Sequence, residues 1–269
     1  MPKAKANGVS LEYELRGQGA PLVLINGYRR SRQAWGDAFT DALAKRFQLV
    51  LFDNRGTGGS EKPEGGYSID AFADDTAGLL DALKLERAHI FGVSMGGMIA
   101  QRFAIRHGEK VHGLGLGCTH FGGKRIARPD EAAWALLQLK PGPDGTLREV
   151  ARKQEPVYFH PDFIRTQRAF MEAFYDRMDP YQPPVHVLKG HIVAIEAFDG
   201  YDDLPKIAAP TLVMTGESDR LIVPENSRII AQRIPGAQLV VLPRANHLFW
   251  LEKPREAAEA IVGFMSKVK

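Results

Sequence analysis

The stretch HIFGVSMGGMIA, residues 89–100, changes character at its midpoint. Residues 87–93 form an apolar run of strand length, and the residues from Met95 onward carry apolar side chains at helical spacing. Ser94 lies at the junction, between Gly92 and Gly96. A tight strand-to-helix turn needs small neighbours because larger side chains would clash, and it presents the hydroxyl beside the N–H groups of the helix N-terminus. The pattern therefore predicts that Ser94 is a nucleophile rather than an incidental helix cap.

An alternation of strands and helices extends on both sides of this turn. Short apolar or alternating runs predict strands at residues 9–15, 21–26, 47–53, 87–93, 111–118, 210–216 and 237–242. Helical spacing predicts helices at residues 32–46, 68–85, 95–107, 224–234 and 247–267. This order is typical of an α/β fold with a mostly parallel central sheet flanked by helices.

One long segment interrupts the alternation. Residues 119–205, called the helical insertion below, show no strand pattern and are divided by prolines. They predict a helical cap, or lid, inserted into a core made of residues 1–118 and 206–269. Because the insertion leaves the core at a strand end, we expect it to cover the sheet edge that carries Ser94. Its aromatic residues are expected to form mostly its own core, with a few lining an acyl pocket: Trp134, Tyr158, Phe159, Phe163, Phe170, Phe174, Tyr175 and Phe198.

Composition excludes several classes of function. The 269 residues carry a net charge of +3 without a dense basic block, which argues against nucleic-acid binding. The single cysteine, Cys118, excludes an intramolecular disulfide and is interpreted as a small buried residue rather than a second nucleophile. The N-terminus lacks an apolar signal segment, and no run approaches the roughly 20 apolar residues of a membrane helix. We therefore expect a soluble cytoplasmic protein with a small-molecule substrate and no membrane partner; the oligomeric state stays open.

A serine hydroxyl needs a base, and the base needs an orienting carboxylate. Asp219 follows the strand predicted at 210–216, and His247 follows the next predicted strand. Both would project from the edge that carries Ser94, in the order Ser, Asp, His. His247 is preferred because the other seven histidines do not stand at a strand end in this way. The rival carboxylates for the acid are Glu217, Asp202 and Asp203.

Two further motifs give the chain a family resemblance. DNRGTGGS (53–60) resembles the D-x-R-G-x-G-x-S turn of the α/β-hydrolase superfamily, and NHLFWLEKP (246–254) resembles its H-x-x-x-x-E-x-P tail. With the Ser94 turn, the chain is similar over nearly its full length to small serine esterases and enol-lactonase-like members that have a short helical cap. The resemblance implies that Asp53 and Arg55 fix a loop rather than take part in the chemistry.

The loop after the third predicted strand departs from the family pattern. The family usually has His-Gly here, whereas this chain has Asn26 and Gly27. The resemblance implies an oxyanion hole formed by the backbone N–H groups of Tyr28 and Met95, since backbone donors do not depend on the side chain. The next two residues, Arg29 and Arg30, are either solvated or able to attract an anionic substrate.

Together these features predict a serine hydrolase of carboxylic esters or lactones. The substrate is expected to be small and largely apolar, and no metal or organic cofactor is implied. Because the turn carries serine rather than aspartate, haloalkane dehalogenases and epoxide hydrolases do not fit. Three alternatives remain open: a C–C bond hydrolase, a cofactor-free perhydrolase, and a ligand-binding receptor with little turnover.

Overall fold

The central sheet has eight strands in one layer. The computed structural model describes residues 1–139 and 146–268. Its strands are β1 (Lys3–Ala6), β2 (Val9–Arg16), β3 (Ala20–Ile25), β4 (Phe47–Phe52), β5 (Ala88–Val93), β6 (Val111–Gly117), β7 (Thr211–Gly216) and β8 (Gln238–Leu242). They lie in the order β1-β2-β4-β3-β5-β6-β7-β8, and only the pairs β1·β2 and β2·β4 are antiparallel. The predicted fold class, with its mostly parallel sheet, is confirmed.

Helices cover both faces of this sheet. They are α1 (Asp37–Ala44), α2 (Ile69–Ala82), α3 (Met95–Arg106), α4 (Glu131–Leu137), α5 (Leu147–Tyr158), α6 (Pro161–Thr166), α7 (Arg168–Met178), α8 (Val185–Ala197), α9 (Pro224–Arg233), α10 (Phe249–Glu252) and α11 (Pro254–Met265). Alternate residues of a strand point to opposite faces. In β3, Val23 and Ile25 join the apolar core under α2, α3 and α9, whereas Leu22 and Leu24 join the core under α1 and α11.

Three elements differ from the sequence-based prediction. The helix predicted at 32–46 is divided at Gly36 into a 3₁₀ turn (Arg32–Trp35) and α1. β1 was not predicted, because lysines alternate with alanines along it and it pairs only at the sheet edge. The helix predicted at 247–267 is divided into α10 and α11 at Lys253. Pro254 disfavours a helical conformation at the preceding residue, which explains the break.

The helical insertion contains α4 to α8 in its described residues; residues 140–145 lie outside them. A short bridge between Gly122 and Asp199 joins the two ends of the insertion. Of the eight aromatic residues expected in its core or pocket, four are buried: Phe159, Phe174, Tyr175 and Phe198. For Trp134 and Phe170 the expectation of burial is wrong, since they are 54% and 39% exposed.

Within residues 1–139 and 146–268, no helix is both long enough and apolar enough to cross a bilayer.

Candidate active site

Ser94 occupies a sharp turn between β5 and α3. Its backbone has φ 56° and ψ −123°, a conformation that costs energy for a residue with a side chain. A Cβ on Gly92 would lie 2.1 Å from the Gly96 carbonyl oxygen, and a Cβ on Gly96 would lie 2.1 Å from the Ile25 carbonyl oxygen. Both glycines are therefore needed for the turn, which leaves the Ser94 side chain half-buried at the C-terminal edge of the sheet.

Asp219 and His247 form a buried hydrogen-bonded pair beyond the ends of β7 and β8. Nδ1 of His247 lies 2.9 Å from Oδ2 of Asp219. The other carboxylate oxygen, Oδ1, accepts the backbone N–H groups of Leu221 and Ile222, each at 2.9 Å. These two bonds fix the orientation of the Asp219 carboxylate, so that its Oδ2 can accept a hydrogen bond from Nδ1 of His247.

The rival carboxylates have other partners. Glu217 accepts the backbone N–H of Arg244 at 3.2 Å at an exposed position. Asp202 pairs with Arg125, and Asp203 pairs with Arg102 and Lys206. Of the four acids considered, the structure pairs Asp219 with His247.

Cys118 lies beside the buried pair. The residue before it, Gly117, accepts the Ser94 N–H at its carbonyl oxygen at 2.9 Å. The Cys118 sulfur, an Asp219 oxygen and a His247 nitrogen all lie within 4.8 Å of one another. Burial raises the pKa of the Cys118 thiol, so it is neutral at ordinary pH. The expected small buried residue is therefore a direct neighbour of the candidate base.

The loop after β3 packs directly on the serine. A Cβ on Gly27 would lie 3.0 Å from Cβ and 3.4 Å from Oγ of Ser94. In the described residues, the backbone N–H groups of Tyr28 and Met95 donate to no protein acceptor. The Met95 N–H is free because it stands in the first turn of α3, where helical N–H groups have no partner within the helix. Both predicted oxyanion donors are thus free beside Ser94.

Asn26 stabilises this loop through hydrogen bonds. Its Nδ2 donates to the Ser31 carbonyl at 3.1 Å, and its own carbonyl accepts Nδ2 of Asn54 at 3.0 Å. The side chain therefore bridges the two ends of the loop from inside, in place of the usual histidine.

The D-x-R-G turn also supports the loop. Oδ1 of Asp53 accepts the Arg32 backbone N–H at 2.7 Å, and Oδ2 accepts the Gly59 N–H at 2.9 Å. Nε of Arg55 donates to Asp75 at 2.6 Å. These contacts agree with the interpretation of Asp53 and Arg55 as residues that fix the loop.

His191 of the insertion holds the same loop from outside. Its Nδ1 faces the Arg29 N–H at 3.5 Å, and its Nε2 donates to the Arg55 carbonyl at 3.2 Å. Burial lowers the pKa of His191 to about 4, so the ring is neutral and these two contacts fix its tautomer. Sequence reasoning missed this residue because nothing local in α8 indicates its partner in the core.

The insertion also contacts the loop that carries His247. The Tyr158 ring lies 6.2 Å from the His247 ring, centroid to centroid. The Tyr158 carbonyl accepts the Leu248 N–H at 3.0 Å, and the Phe159 carbonyl accepts Nδ2 of Asn246 at 3.1 Å. The end of α5 therefore lies against the candidate base.

Glu252 strengthens the same connection. Its carboxylate accepts the Asn246 N–H at 2.6 Å and the His160 N–H at 2.5 Å. Burial raises the pKa of Glu252 to about 7. The glutamate of the tail motif thus has a physical role here: it joins the His247 loop to the insertion.

His120 is a second histidine close to the site. Its Nδ1 accepts the Gly122 N–H at 3.0 Å. Burial and the charge of nearby His247 lower the pKa of His120 to about 4, so the ring is neutral. A neutral ring that accepts at Nδ1 carries its proton at Nε2. Within the described residues Nε2 has no hydrogen-bond partner, which leaves one oriented donor near the base.

We expect the His120→Asn variant to lower kcat/KM by about tenfold or less, the size of one neutral hydrogen bond. Oδ1 of asparagine can keep the Gly122 bond, whereas the donor at Nε2 is lost. Initial rates on p-nitrophenyl acetate measure the effect, with His107→Asn on the core surface as the matched control. Unchanged kcat/KM in His120→Asn would mean that only the Gly122 bond matters.

Comparison with known proteins decides the family. A model of the alpha/beta hydrolase fold matches residues 20–254. The chain belongs to the α/β-hydrolase family. The family expected from the turn and tail motifs is therefore confirmed, and this α/β-hydrolase has esterase- and lactonase-like relatives.

The similarity to individual proteins extends over whole chains. A provisionally named carbamate hydrolase, RutD, from Azorhizobium caulinodans is 30% identical over 100% of this chain and 99% of its own. The enol-lactonase of Burkholderia xenovorans LB400 is 28% identical, with a TM-score of 0.84 over 99% of this chain and 100% of its own. A thermophilic esterase from Thermogutta terrifontis is 29% identical, with a TM-score of 0.83 over 100% and 99%. This α/β-hydrolase is therefore similar to enzymes that act on different acyl compounds.

Proposed function

We propose that this α/β-hydrolase cleaves carboxylic esters or lactones of small, largely apolar substrates through an acyl-enzyme on Ser94. The observation that carries the proposal is the arrangement of one turn and one buried pair. A strained serine with two free N–H groups in its turn and in the loop packed on it lies at the same sheet edge as a histidine whose Nδ1 is held by a carboxylate. This is the set of groups that acyl transfer needs.

Each residue has a step in the reaction. His247 accepts the proton of Ser94 as Oγ attacks the carbonyl carbon, and Asp219 stabilises the imidazolium that forms. The N–H groups of Tyr28 and Met95 donate to the developing oxyanion. His247 then gives its proton to the leaving alkoxide. Water, deprotonated by the same imidazole, releases the acid and restores the hydroxyl of Ser94.

The insertion supplies the walls around this chemistry. The end of α5 contacts the His247 loop through Tyr158, and the middle of α8 contacts the oxyanion loop through His191. We infer that residues 119–205 act as a cap that selects the acyl group and that the core supplies the reacting groups. Because Trp134 and Phe170 are exposed, we do not expect them to line the acyl pocket. The residues around Tyr158 are better candidates for its lining.

The acid limb of the pH profile should report His247. Burial lowers its pKa, but the negative charge of the Asp219 carboxylate and its hydrogen bond to Nδ1 raise it, and the net value lies above 6.5. The base must be neutral, so kcat/KM should rise with pH through an apparent pKa above 6.5. The Asp219→Asn variant should move this limb to lower pH because the negative charge is lost.

Rates on p-nitrophenyl acetate from about pH 3.5 to 9 measure this limb. A limb near 4 in the native enzyme would contradict the assignment and would point to His120, whose pKa is about 4.

A substrate panel tests the proposed function itself. It should contain p-nitrophenyl esters of increasing acyl length, simple lactones, an aryl carbamate and a dienone C–C substrate. Faster turnover of short esters or lactones than of the carbamate and the dienone supports the proposal. Preferred cleavage of the dienone, or perhydrolysis in the presence of peroxide, would instead assign one of the alternatives. Binding of an ester without turnover would indicate a receptor.

A further inference from the structure

Arg30 lies between the oxyanion loop and the insertion. Its Cζ stands 5.5 Å from the centroid of the Phe174 ring in α7. The Phe174 ring packs in turn against Tyr175, 6.2 Å from centroid to centroid. The Arg30 backbone N–H donates at 3.3 Å to the carbonyl of Gly27, the residue that packs on Ser94. The guanidinium is therefore near the chemistry, at the boundary between core and insertion.

This cation has no protein counter-charge in the described residues. The nearby buried Arg32, by contrast, is neutralised: its guanidinium pairs with Glu12 at 2.9 Å and with Asp53 at 2.6 Å. The side chain of Arg30 makes no ion pair or hydrogen bond within residues 1–139 and 146–268. Burial and Arg29 lower the pKa of Arg30 to about 10, so it stays positive at neutral pH.

The insertion has a buried carboxylate, Glu155, whose hydrogen bonds are already made within the insertion. Glu155 accepts two hydrogen bonds from Arg168, at 2.8 and 2.9 Å, and one from the Tyr175 hydroxyl at 2.9 Å. It therefore has no free oxygen directed at Arg30. A partly buried, unpaired guanidinium is costly, and an incoming anion removes that cost.

We propose that Arg30 binds a carboxylate carried by the substrate at the end of its acyl chain. This inference rests on the proposed function and narrows its substrate class to monoesters of dicarboxylic acids and carboxylated lactones. The planar guanidinium has the fork geometry that a carboxylate accepts. The flanking Phe174 suits the methylenes of the acyl chain. The reacting carbonyl lies at Ser94 and the carboxylate at Arg30, so the two ends of one small molecule are held at once.

A pair of substrates that differ only at the chain end tests this inference. Mono-4-nitrophenyl glutarate has a carboxylate where 4-nitrophenyl pentanoate has a methyl group. We expect kcat/KM for the glutarate to exceed that for the pentanoate in the native enzyme. The Arg30→Met variant should lower this ratio by about tenfold to a hundredfold, the range for a hydrogen bond to a charged group. Arg30→Lys should retain part of the preference, because the charge remains and the fork is lost.

Arg29→Met is the matched control. It removes the same positive charge from the adjacent residue. If the glutarate preference comes from direct contact with Arg30, and not from the overall positive potential of the loop, Arg29→Met should leave the ratio of the two kcat/KM values unchanged. Fluorophosphonate labelling of Ser94 shows whether each variant keeps a folded site. An unchanged ratio in labelled Arg30→Met overturns the inference and leaves the proposed function standing.

Calorimetric titration with glutarate separates the two proposals. Glutarate should bind the native enzyme at least tenfold more tightly than Arg30→Met, on the same scale as the kinetic effect. If neither ester is hydrolysed but glutarate shows this difference, the proposed function fails and the anion site stands. If glutarate binds both proteins equally, or neither, the anion site is wrong.

Discussion

The Ser94→Ala variant should fold normally and lose on the order of 10⁶ in kcat, as other enzymes do when the nucleophile of a serine triad is removed. Alanine fits the turn because the space at Cβ is unchanged, and the strained φ of 56° is already accepted by a residue with a Cβ. Only the hydroxyl is missing, so acyl transfer has no nucleophile. Steady-state kinetics on p-nitrophenyl acetate measure the loss, and circular dichroism confirms the fold.

A fluorophosphonate provides the direct readout of the same prediction. It should add one adduct, located at Ser94 by peptide mass spectrometry, and should not label Ser94→Ala. Ser227→Ala is the control: this serine is buried in α9, and its hydroxyl has no hydrogen-bond partner in the described residues. It should keep native kinetics and labelling. An adduct at any other serine would falsify the assignment of the nucleophile.

The second large effect concerns the buried pair. His247→Ala should lose about as much as Ser94→Ala, whereas Asp219→Ala should lose less, about 10⁴ in kcat, because the carboxylate orients and stabilises the imidazole without transferring the proton. The 2.9 Å bond between Nδ1 of His247 and Oδ2 of Asp219 is the contact removed in the second variant. Rates under saturating ester give both values.

Substitution of a rival acid completes the comparison. Asp203→Asn removes a carboxylate that pairs with Arg102 and Lys206 instead of a histidine. It should leave kcat within about twofold, as expected for a surface change away from the site. If Asp219→Ala were nearly harmless and Asp203→Asn were not, the acid of the candidate triad would have been assigned to the wrong residue.

Local sequence was sufficient wherever a constraint acts within a few residues. The strand-to-helix turn at Ser94 could be predicted because Gly92 and Gly96 leave room that no larger residue would leave. The parallel sheet could be predicted because alternating strands and helices require crossover connections. Asp219 and His247 could be proposed because parallel strands end at the same edge of a sheet. The edge strand β1 and the break at Lys253 were missed, since their signals were weak lysine alternation and a single proline.

Contacts between distant segments were decided by the tertiary structure. Nothing near His191 in sequence indicates Arg29 or Arg55, which lie more than a hundred residues earlier, yet these contacts hold the oxyanion loop. The sequence alone determined which residues could act as nucleophile, base and acid, because those roles depend on residue type and on local turns. Only the fold decided that Cys118 adjoins His247 and that Arg30 lacks a counter-charge in the described residues. Burial and pairing are properties of packed neighbours, and packing brings together side chains whose separation along the chain carries no local signal.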